Sequence, residues 1–473
     1  MRNTKIVATV GPASRSPEIL RSLLNAGVNV FRINASHGSN SDHAAAITHI
    51  REIGSETKLN PGILLDLQGP KIRLGVFEQG QAALGTGSRF RITSEPLTGN
   101  GEVASTSYQG LARDVAPGNR VLLADGGITL RALECDAASV LFEVESGGIV
   151  RDKQGINLPG VRVRIPSMTE KDYADLEFGL SQNIDMVALS FVRTAVEVRE
   201  LRQWLASRNE KLPIVAKIEK PEALENLDEI IEACDGVMVA RGDLGVEMTL
   251  ARVPGVQKTV IERARMRGRF VITATQMLES MVQNPTPTRA EVNDVANAIF
   301  DGTDAVMLSA ETASGLHPLE AVRMMAEIAQ EAEDFLATHP LPKAPRDPEP
   351  THAQIIAKAA YHSGLTACVK AIVVFTTSGE TVRLIAPYRP RVPIFAFCEC
   401  EPVARKLASI YGAVTVAPVT VRSVEEMLCV CDQTLLNEGW AKLGDSVILV
   451  GGAPFGTAGS ANFIKLHRVG HNE

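Results

Sequence analysis

No apolar run in the 473 residues approaches the roughly 18 that a membrane span requires, which excludes a helical membrane protein. Met1-Arg2-Asn3-Thr4-Lys5 runs into only a short apolar stretch broken by Pro12, so no signal peptide is expected. Positive charge is not in excess. With 48 Lys and Arg against 55 Asp and Glu, the net charge of −7 argues against nucleic acid or an acidic membrane as partner. Any anionic substrate therefore needs local lysine, arginine or metal. The cysteine count is odd, seven, which in a long chain without a leader suits reduced thiols and a cytoplasmic location. Two C-x-C pairs, Cys398/Cys400 and Cys429/Cys431, raise the question of zinc. The second pair falls in a predicted helix over 423–437, where positions two apart face different ways, so core thiols are the expectation. Low-complexity tracts are absent.

What is present is the composition of a globular protein, 45% hydrophobic and 22% charged, long enough for two or three domains. The chain opens with "TKIVATVGP", "SPEILRSLLNAG" and "VNVFRINASHG". Ser16 suits a helix cap with Pro17 at the first position, Ile19, Leu20, Leu23 and Leu24 make one apolar face, and Gly27 stops the helix. This is a strand-helix-strand unit. Comparable apolar runs recur at 62–68, 186–192, 213–219, 236–242, 270–277 and 305–311, most with helical periodicity between them. Eight alternating strands and helices close most simply into a (β/α)₈ barrel, here assembled from 1–69 and 167–338. The segment 70–166 lacks long helical periodicity and carries turn-rich strands such as "LADGGITLRALE", so it reads as a small β domain inserted after the third strand. Five prolines mark 339–351 as an extended linker, and 352–473 alternates strands and helices as a separate α/β domain.

In such a barrel the C-terminal strand ends gather reactive side chains on one rim. Those ends carry Arg32, Asn34, Ser36 and His37 after the second strand, Asp66, Lys71 and Arg73 after the third, and Ser190 and Arg193 after the fourth. Lys217 and Glu219 follow the fifth, Arg241 and Asp243 the sixth, Thr275 and Gln276 the seventh, Ser309 and Glu311 the eighth. Glu219 and Asp243, from adjacent strands with few His or Cys candidates nearby, suit a hard divalent ion such as Mg²⁺ (or Mn²⁺), and Gly242 between them lets a ligand approach the backbone. Arg32, Arg73 and Lys217 beside a metal fit a phosphorylated substrate.

The ordered set "TKIVATVGPASR", "VFRINASHG", "LLDLQGPKIR", "KIEKPEALENLDEII", "DGVMVARGDLGVE", "ITATQMLESM" and "PTRAEVNDVANAIFDGTDAVMLSAETASG" resembles the pyruvate kinase family over nearly the whole chain. The resemblance implies phosphoryl transfer from phosphoenolpyruvate to ADP, giving pyruvate and ATP. It also implies a (β/α)₈ TIM barrel with an inserted small β-barrel lid, a C-terminal α/β effector domain and a homotetramer. Carried over by position, Lys217 looks like the lysine that steadies the phosphoryl group and the enolate, Glu219 and Asp243 like the Mg²⁺ ligands, and Arg32, Gly242, Ser190 and Thr275 like substrate contacts. Thr275 lies on the enolate face that takes the proton. Asn34, Ser36 and Asp66 match the monovalent-cation site, and Asn34, His37 and Arg73, with Asp125 of the lid, match the nucleotide side. Thr376, Thr377, Ser378, Gly379 and Thr381, with the later "GGAPFGTAGSAN", look like a sugar-phosphate effector site. Lys71 replaces the glutamate of potassium-requiring members, so the resemblance is to the potassium-independent branch, with Lys71 as an internal cation and K⁺ not required. Rival readings are a metal-dependent barrel aldolase or lyase acting through an enolate, and a catalytically silent sugar-phosphate sensor; intact Lys217, Glu219 and Asp243 count against the second.

Overall fold

The computed structural model describes residues 1–340, 350–366, 368–453 and 461–471. Most of the linker expected at 339–351, and 454–460 of the second effector-loop segment, therefore lie outside the described residues. Ser16 caps the first helix, Pro17–Asn25, by accepting from the Ile19 amide, and Leu20, Leu23 and Leu24 are its buried face. Eight parallel strands, β1 Lys5–Thr9, β2 Val30–Asn34, β3 Gly62–Asp66, β4 Met186–Leu189, β5 Ile214–Ile218, β6 Gly236–Ala240, β7 Phe270–Ala274 and β8 Ala305–Leu308, close into a barrel in the order β1-β8-β7-β6-β5-β4-β3-β2. From β3 onward the strands stop before the apolar runs do, because the chain turns at once into loops or helices, as at Arg241–Glu247 directly after β6.

Between β3 and β4 the chain forms a six-stranded sheet, from Ile156–Asn157 at one edge to Val103–Ser105 at the other, and a two-stranded ribbon of Gln81–Leu84 with Gly148–Arg151. These strands enclose a core of their own around Phe90, Phe142, Leu130 and Val144. The inserted segment thus folds around apolar contacts that do not depend on the barrel.

The C-terminal domain holds a five-stranded sheet, β9 Val369–Thr376, β10 Ile394–Cys398, β11 Ala413–Val416, β12 Ser446–Gly452 and β13 Ala461–Arg468, in the order β11-β10-β9-β12-β13. Only the last pair is antiparallel. One alternate set of barrel residues, including Val7, Leu64, Met186, Val215 and Met307, packs in one cluster with Ile385, Ala404, Leu407 and Ile410 of this domain. The domain therefore covers the end of the barrel opposite the C-terminal strand ends. Gly62 opens β3 where a Cβ would meet the Arg405 carbonyl at 2.9 Å, so the close approach of the domain excludes a side chain there. Ion pairs reinforce the contact, Arg389 with Asp304 at 2.8 Å and Arg405 with Asp185 at 2.9 Å.

Candidate active site

Parallel strands deliver their last residues to one rim, and there a network of opposite charges forms. The Lys217 ammonium at the end of β5 lies 2.8 Å from Glu219, 3.3 Å from Asp66 on β3, and 2.8 Å from the Ser190 hydroxyl beyond β4. Ser190 in turn donates to the Leu67 carbonyl at 2.7 Å. Arg32 on β2 pairs with the other Asp66 oxygen at 2.7 Å and donates to Thr9 on β1 at 3.1 Å. Burial opposes the charge on Lys217, but Asp66, Glu219 and Asp243 outweigh it and raise the pKa well above that of an ordinary lysine. The same balance acts in reverse on Asp66, where burial is overcome by Lys217 and Arg32 and the carboxyl titrates below its usual range. The site thus holds one permanent ammonium and one guanidinium, each tied to a buried carboxylate.

Glu219 differs. Its burial, together with the negative charge of Asp243, pushes its pKa up, and Lys217 and the Phe191 amide only partly compensate. Two carboxylates that repel in a buried rim fit a divalent cation, whose charge would relieve the conflict. The donors are oxygen only, and no group of three His, Cys, Asp or Glu suited to a metal occurs among the described residues. Such a pair suits an ion that keeps water or substrate oxygens on its remaining positions.

Asn34 pairs in register with Asp66 across β2 and β3 and accepts from the Ser36 amide at 3.1 Å, so Asn34, Ser36 and Asp66 are neighbours. His37 is exposed, and the desolvation it does meet, followed by the charges of Lys71, Arg73 and Arg32, lowers its pKa. That places a neutral imidazole in a positive field, the surroundings a polyphosphate needs. Lys71 is exposed, and no hydrogen bond or ion pair ties it to Asn34, Ser36 or Asp66 among the described residues. Arg73 donates to the Lys153 carbonyl at 3.1 Å where the inserted segment leaves and rejoins the barrel. Asp125 belongs to the 3-10 turn Ala124–Gly126, which packs against the helix Arg241–Glu247; its side chain is outside what is described.

Thr275 follows β7 with φ of 68°, and Gln276 follows with 54°. For a β-branched residue this left-handed backbone costs on the order of 1–3 kcal/mol and persists only where the surroundings impose it. The Thr275 hydroxyl oxygen accepts from the Gly242 amide at 2.7 Å. A Cβ added to Gly242 would lie 3.4 Å from that oxygen, an ordinary contact, so it is the amide of Gly242 and not the lack of a side chain that fixes the Thr275 hydroxyl.

Three residues expected on the rim serve the scaffold instead. Arg193 pairs with Glu197 at 2.7 Å and donates to the carbonyls of Val163 and Ile165, holding the segment that returns from the insertion to the barrel. Glu311 accepts from the amides of Leu278 and Ser309. Arg241 is buried and reaches Asp294 at 2.6 Å. Nothing in their sequence spacing separates them from Arg32 or Lys217; only the partners across the fold do.

In the C-terminal domain, Thr376 closes β9 and its hydroxyl accepts from the Gly379 amide at 2.8 Å, and Gly379, with φ of 81°, precedes the short helix Glu380–Ile385. Thr376 and Thr381 are buried, while Thr377 and Ser378 are more accessible. Of the C-x-C pairs, Cys398 and Cys431 are buried in different clusters and Cys400 and Cys429 are exposed.

A family signature described as the pyruvate kinase barrel domain matches residues 1–322, and that of the pyruvate kinase alpha/beta domain matches 354–467. The chain belongs to the pyruvate kinase family. It is 45% identical over 472 residues to a pyruvate kinase of Geobacillus stearothermophilus, covering 99% of this chain and 80% of that protein. It is 44% identical over 473 residues to one of Mycobacterium tuberculosis, covering 100% and 99%. A crystal structure of a pyruvate kinase from Cryptosporidium parvum superposes with a TM-score of 0.92 at 35% identity, covering 99% and 96%. Members are transferases that move phosphate between phosphoenolpyruvate and ADP, and the barrel and α/β architecture expected from the sequence is the observed one. The aldolase and silent-sensor readings lose to this one. No helix among the described residues is long and apolar enough to cross a membrane.

Proposed function

We propose that the rim from Arg32 to Thr275 transfers the phosphoryl group of phosphoenolpyruvate to ADP and then protonates the enolate to pyruvate. The observation that carries this reading is the Lys217 ammonium, held charged between Asp66, Glu219 and Ser190 at the strand ends. Phosphoryl transfer needs positioning and charge neutralisation more than a protein nucleophile. Lys217 and Arg32 bind and orient the phosphate, and Lys217 follows the charge from the transferring group to the enolate oxygen. Glu219 and Asp243 would hold Mg²⁺ or Mn²⁺, which when bound supplies further positive charge to substrate oxygens. His37, Arg73 and Asn34 bind the nucleotide, Asp125 of the lid has the nucleotide-binding role that the family resemblance implies, and the lid excludes water once ADP has entered. Thr275 orients the proton source on the enolate face.

Pyruvate kinases generally use K⁺ beside Mg²⁺. Here Lys71 replaces that cation: its charge already contributes to the lowered pKa of His37, so its field reaches the site. The loop of Thr376, Thr377, Ser378, Gly379 and Thr381 takes a sugar or nucleotide monophosphate as activator, because the exposed Glu380 carboxylate repels a second phosphate. Residues 1–69 with 167–338, 70–166 and 352–473 act as catalytic, lid and effector domains of a cytoplasmic homotetramer.

A coupled assay for pyruvate with phosphoenolpyruvate, ADP and Mg²⁺, in a large organic counter-ion free of Na⁺ and K⁺, tests the reading. Full activity without K⁺, and a K⁺ requirement gained by Lys71→Glu, are the expected results. No pyruvate under any salt would overturn the reaction, and inactivity relieved by K⁺ would overturn the role of Lys71. Activation by fructose 1,6-bisphosphate at low concentration would contradict the monophosphate assignment.

A further inference from the structure

Arg241 stands next to Gly242 and Asp243 at the end of β6, yet its guanidinium points back between the outer helices. Nη2 donates to the Thr275 carbonyl at 2.8 Å and the Gln276 carbonyl at 3.1 Å, and Nε also faces the Thr275 carbonyl at 3.3 Å. Nη1 reaches both oxygens of Asp294 at 2.7 and 2.6 Å and Gln257 Oε1 at 3.3 Å. One buried side chain thus takes the carbonyls of two consecutive residues held at positive φ. The same turn is fixed at a second point, where the Gly242 amide donates to Thr275 Oγ1 at 2.7 Å and that hydroxyl donates to the Ala274 carbonyl at 2.6 Å. A single dipeptide, Arg241-Gly242, sets both the backbone and the side chain of Thr275. Strain of this kind survives only where surrounding contacts over-determine it.

We propose that Arg241, anchored by Asp294 on the helix Arg289–Asp301, is a positioning residue for the proton-transfer half of the reaction, acting through Thr275, while phosphoryl transfer at Lys217 does not depend on it. The proposal rests on the reading of Thr275 given above. In that half-reaction C3 of the enolate takes a proton from water. The electron pair of the C=C bond forms the new C–H bond, the C2–O bond becomes the carbonyl, and solvent reprotonates the hydroxide. Thr275 loses no proton in this scheme; its oxygen orients the water. Misplacement of such a group by about 1 Å is enough to cost on the order of a hundredfold in rate. A lysine at 241 would keep the charge facing Asp294, but lacks the planar fork that donates to two carbonyls and a carboxylate together.

The test uses full-length Arg241→Lys and Asp294→Asn, with Thr275→Ala as reference. The Asp294 side chain is 39% exposed, so Asp294→Asn remains available if Arg241→Lys does not fold. Proton transfer is read as deuterium entry into the methyl group of pyruvate in D₂O with Mg²⁺ and ATP. Phosphoryl transfer is read as single-turnover formation of ATP from phosphoenolpyruvate and ADP. The expected result is an exchange rate lowered about tenfold or more in all three variants. In the Arg241 and Asp294 variants the single-turnover rate and the KM for phosphoenolpyruvate stay within about twofold, and the solvent isotope effect on kcat rises. If exchange and ATP formation fall together, or if only the melting temperature moves, the positioning role is overturned. If Thr275→Ala slows exchange and the other two do not, this proposal alone fails. If Thr275→Ala leaves exchange intact, the reading of Thr275 fails and takes the proposal with it.

Discussion

Glu247 holds Lys220 at 2.5 Å and, on the same carboxylate oxygen, the side-chain amide of Asn157 at 3.2 Å. Lys220 follows the predicted metal ligand Glu219, Glu247 lies one turn beyond Asp243 on its helix, and Asn157 belongs to the inserted domain. The base of the lid is therefore tied to the segments that carry both carboxylates. Glu247→Ala should free Asn157 and leave Lys220 without its buried partner, at about 1–3 kcal/mol of stability. Faster hydrogen exchange at 156–158 and a KM for ADP raised several-fold, with that for phosphoenolpyruvate less affected, are expected. Unchanged exchange at the hinge would show that the contact does not hold the lid.

Lys217→Met removes the one ammonium between Asp66 and Glu219, both of them buried. Sequence alone suggests a variant that folds normally and turns over at least about a hundredfold more slowly. The network adds a stability loss on the order of 3–5 kcal/mol, since one partner of a buried ion pair is deleted. Thermal melts with and without Mg²⁺ should show the loss, partly reversed by the cation. Normal stability and near-normal turnover would remove Lys217 from both roles.

Asp243→Asn deletes the charge that helps push the Glu219 pKa up. The Mg²⁺ concentration for half-maximal activity should rise about tenfold or more, with saturating Mg²⁺ restoring part of the turnover. An unchanged Mg²⁺ dependence would place the ion elsewhere.

Lys5 is buried at the foot of β1 and donates to the Ala413 carbonyl of the C-terminal domain at 2.6 Å. Burial lowers its pKa from 10.5 to about 7, with Arg2 adding to the shift and Glu333 and Asp304 opposing it. Between those values the unfolded chain binds more protons at this site than the folded one, so its contribution makes stability rise with pH from about 7 to 10.5. Lys5→Met should flatten that rise and leave the protein at least ~2 °C more stable at pH 7. Melting curves across the range decide it; the same alkaline rise in the variant would exclude Lys5 as the titrating group.

Much of this protein was legible from local pattern. Ser16, Pro17 and Gly27 bracket the first helix, the apolar runs mark all eight barrel strands, and Lys217 and Glu219 stand where β5 ends, because strand alternation, caps and breakers act over a few residues. The strand run "PIVAKIE" ends on opposite charges because it has reached the rim, where Lys217 meets Asp66 and Ser190 as well as Glu219. Asp66 and Ser190 lie 151 and 27 residues before Lys217 in the chain and reach it only because β3, β4 and β5 are neighbours in the barrel, which no local period reports. Arg32 and Arg241 look alike in sequence, each a strand-end arginine. Only the tertiary structure sends one to Asp66 on the rim and the other to Asp294 behind it. Burial explains why: a guanidinium taken from water must find its carboxylate, and which carboxylate is near depends on the elements packed beside it. Residue type and local spacing determined the barrel and its reactive strand ends, whereas long-range packing decided which of those charges face substrate and which hold the scaffold.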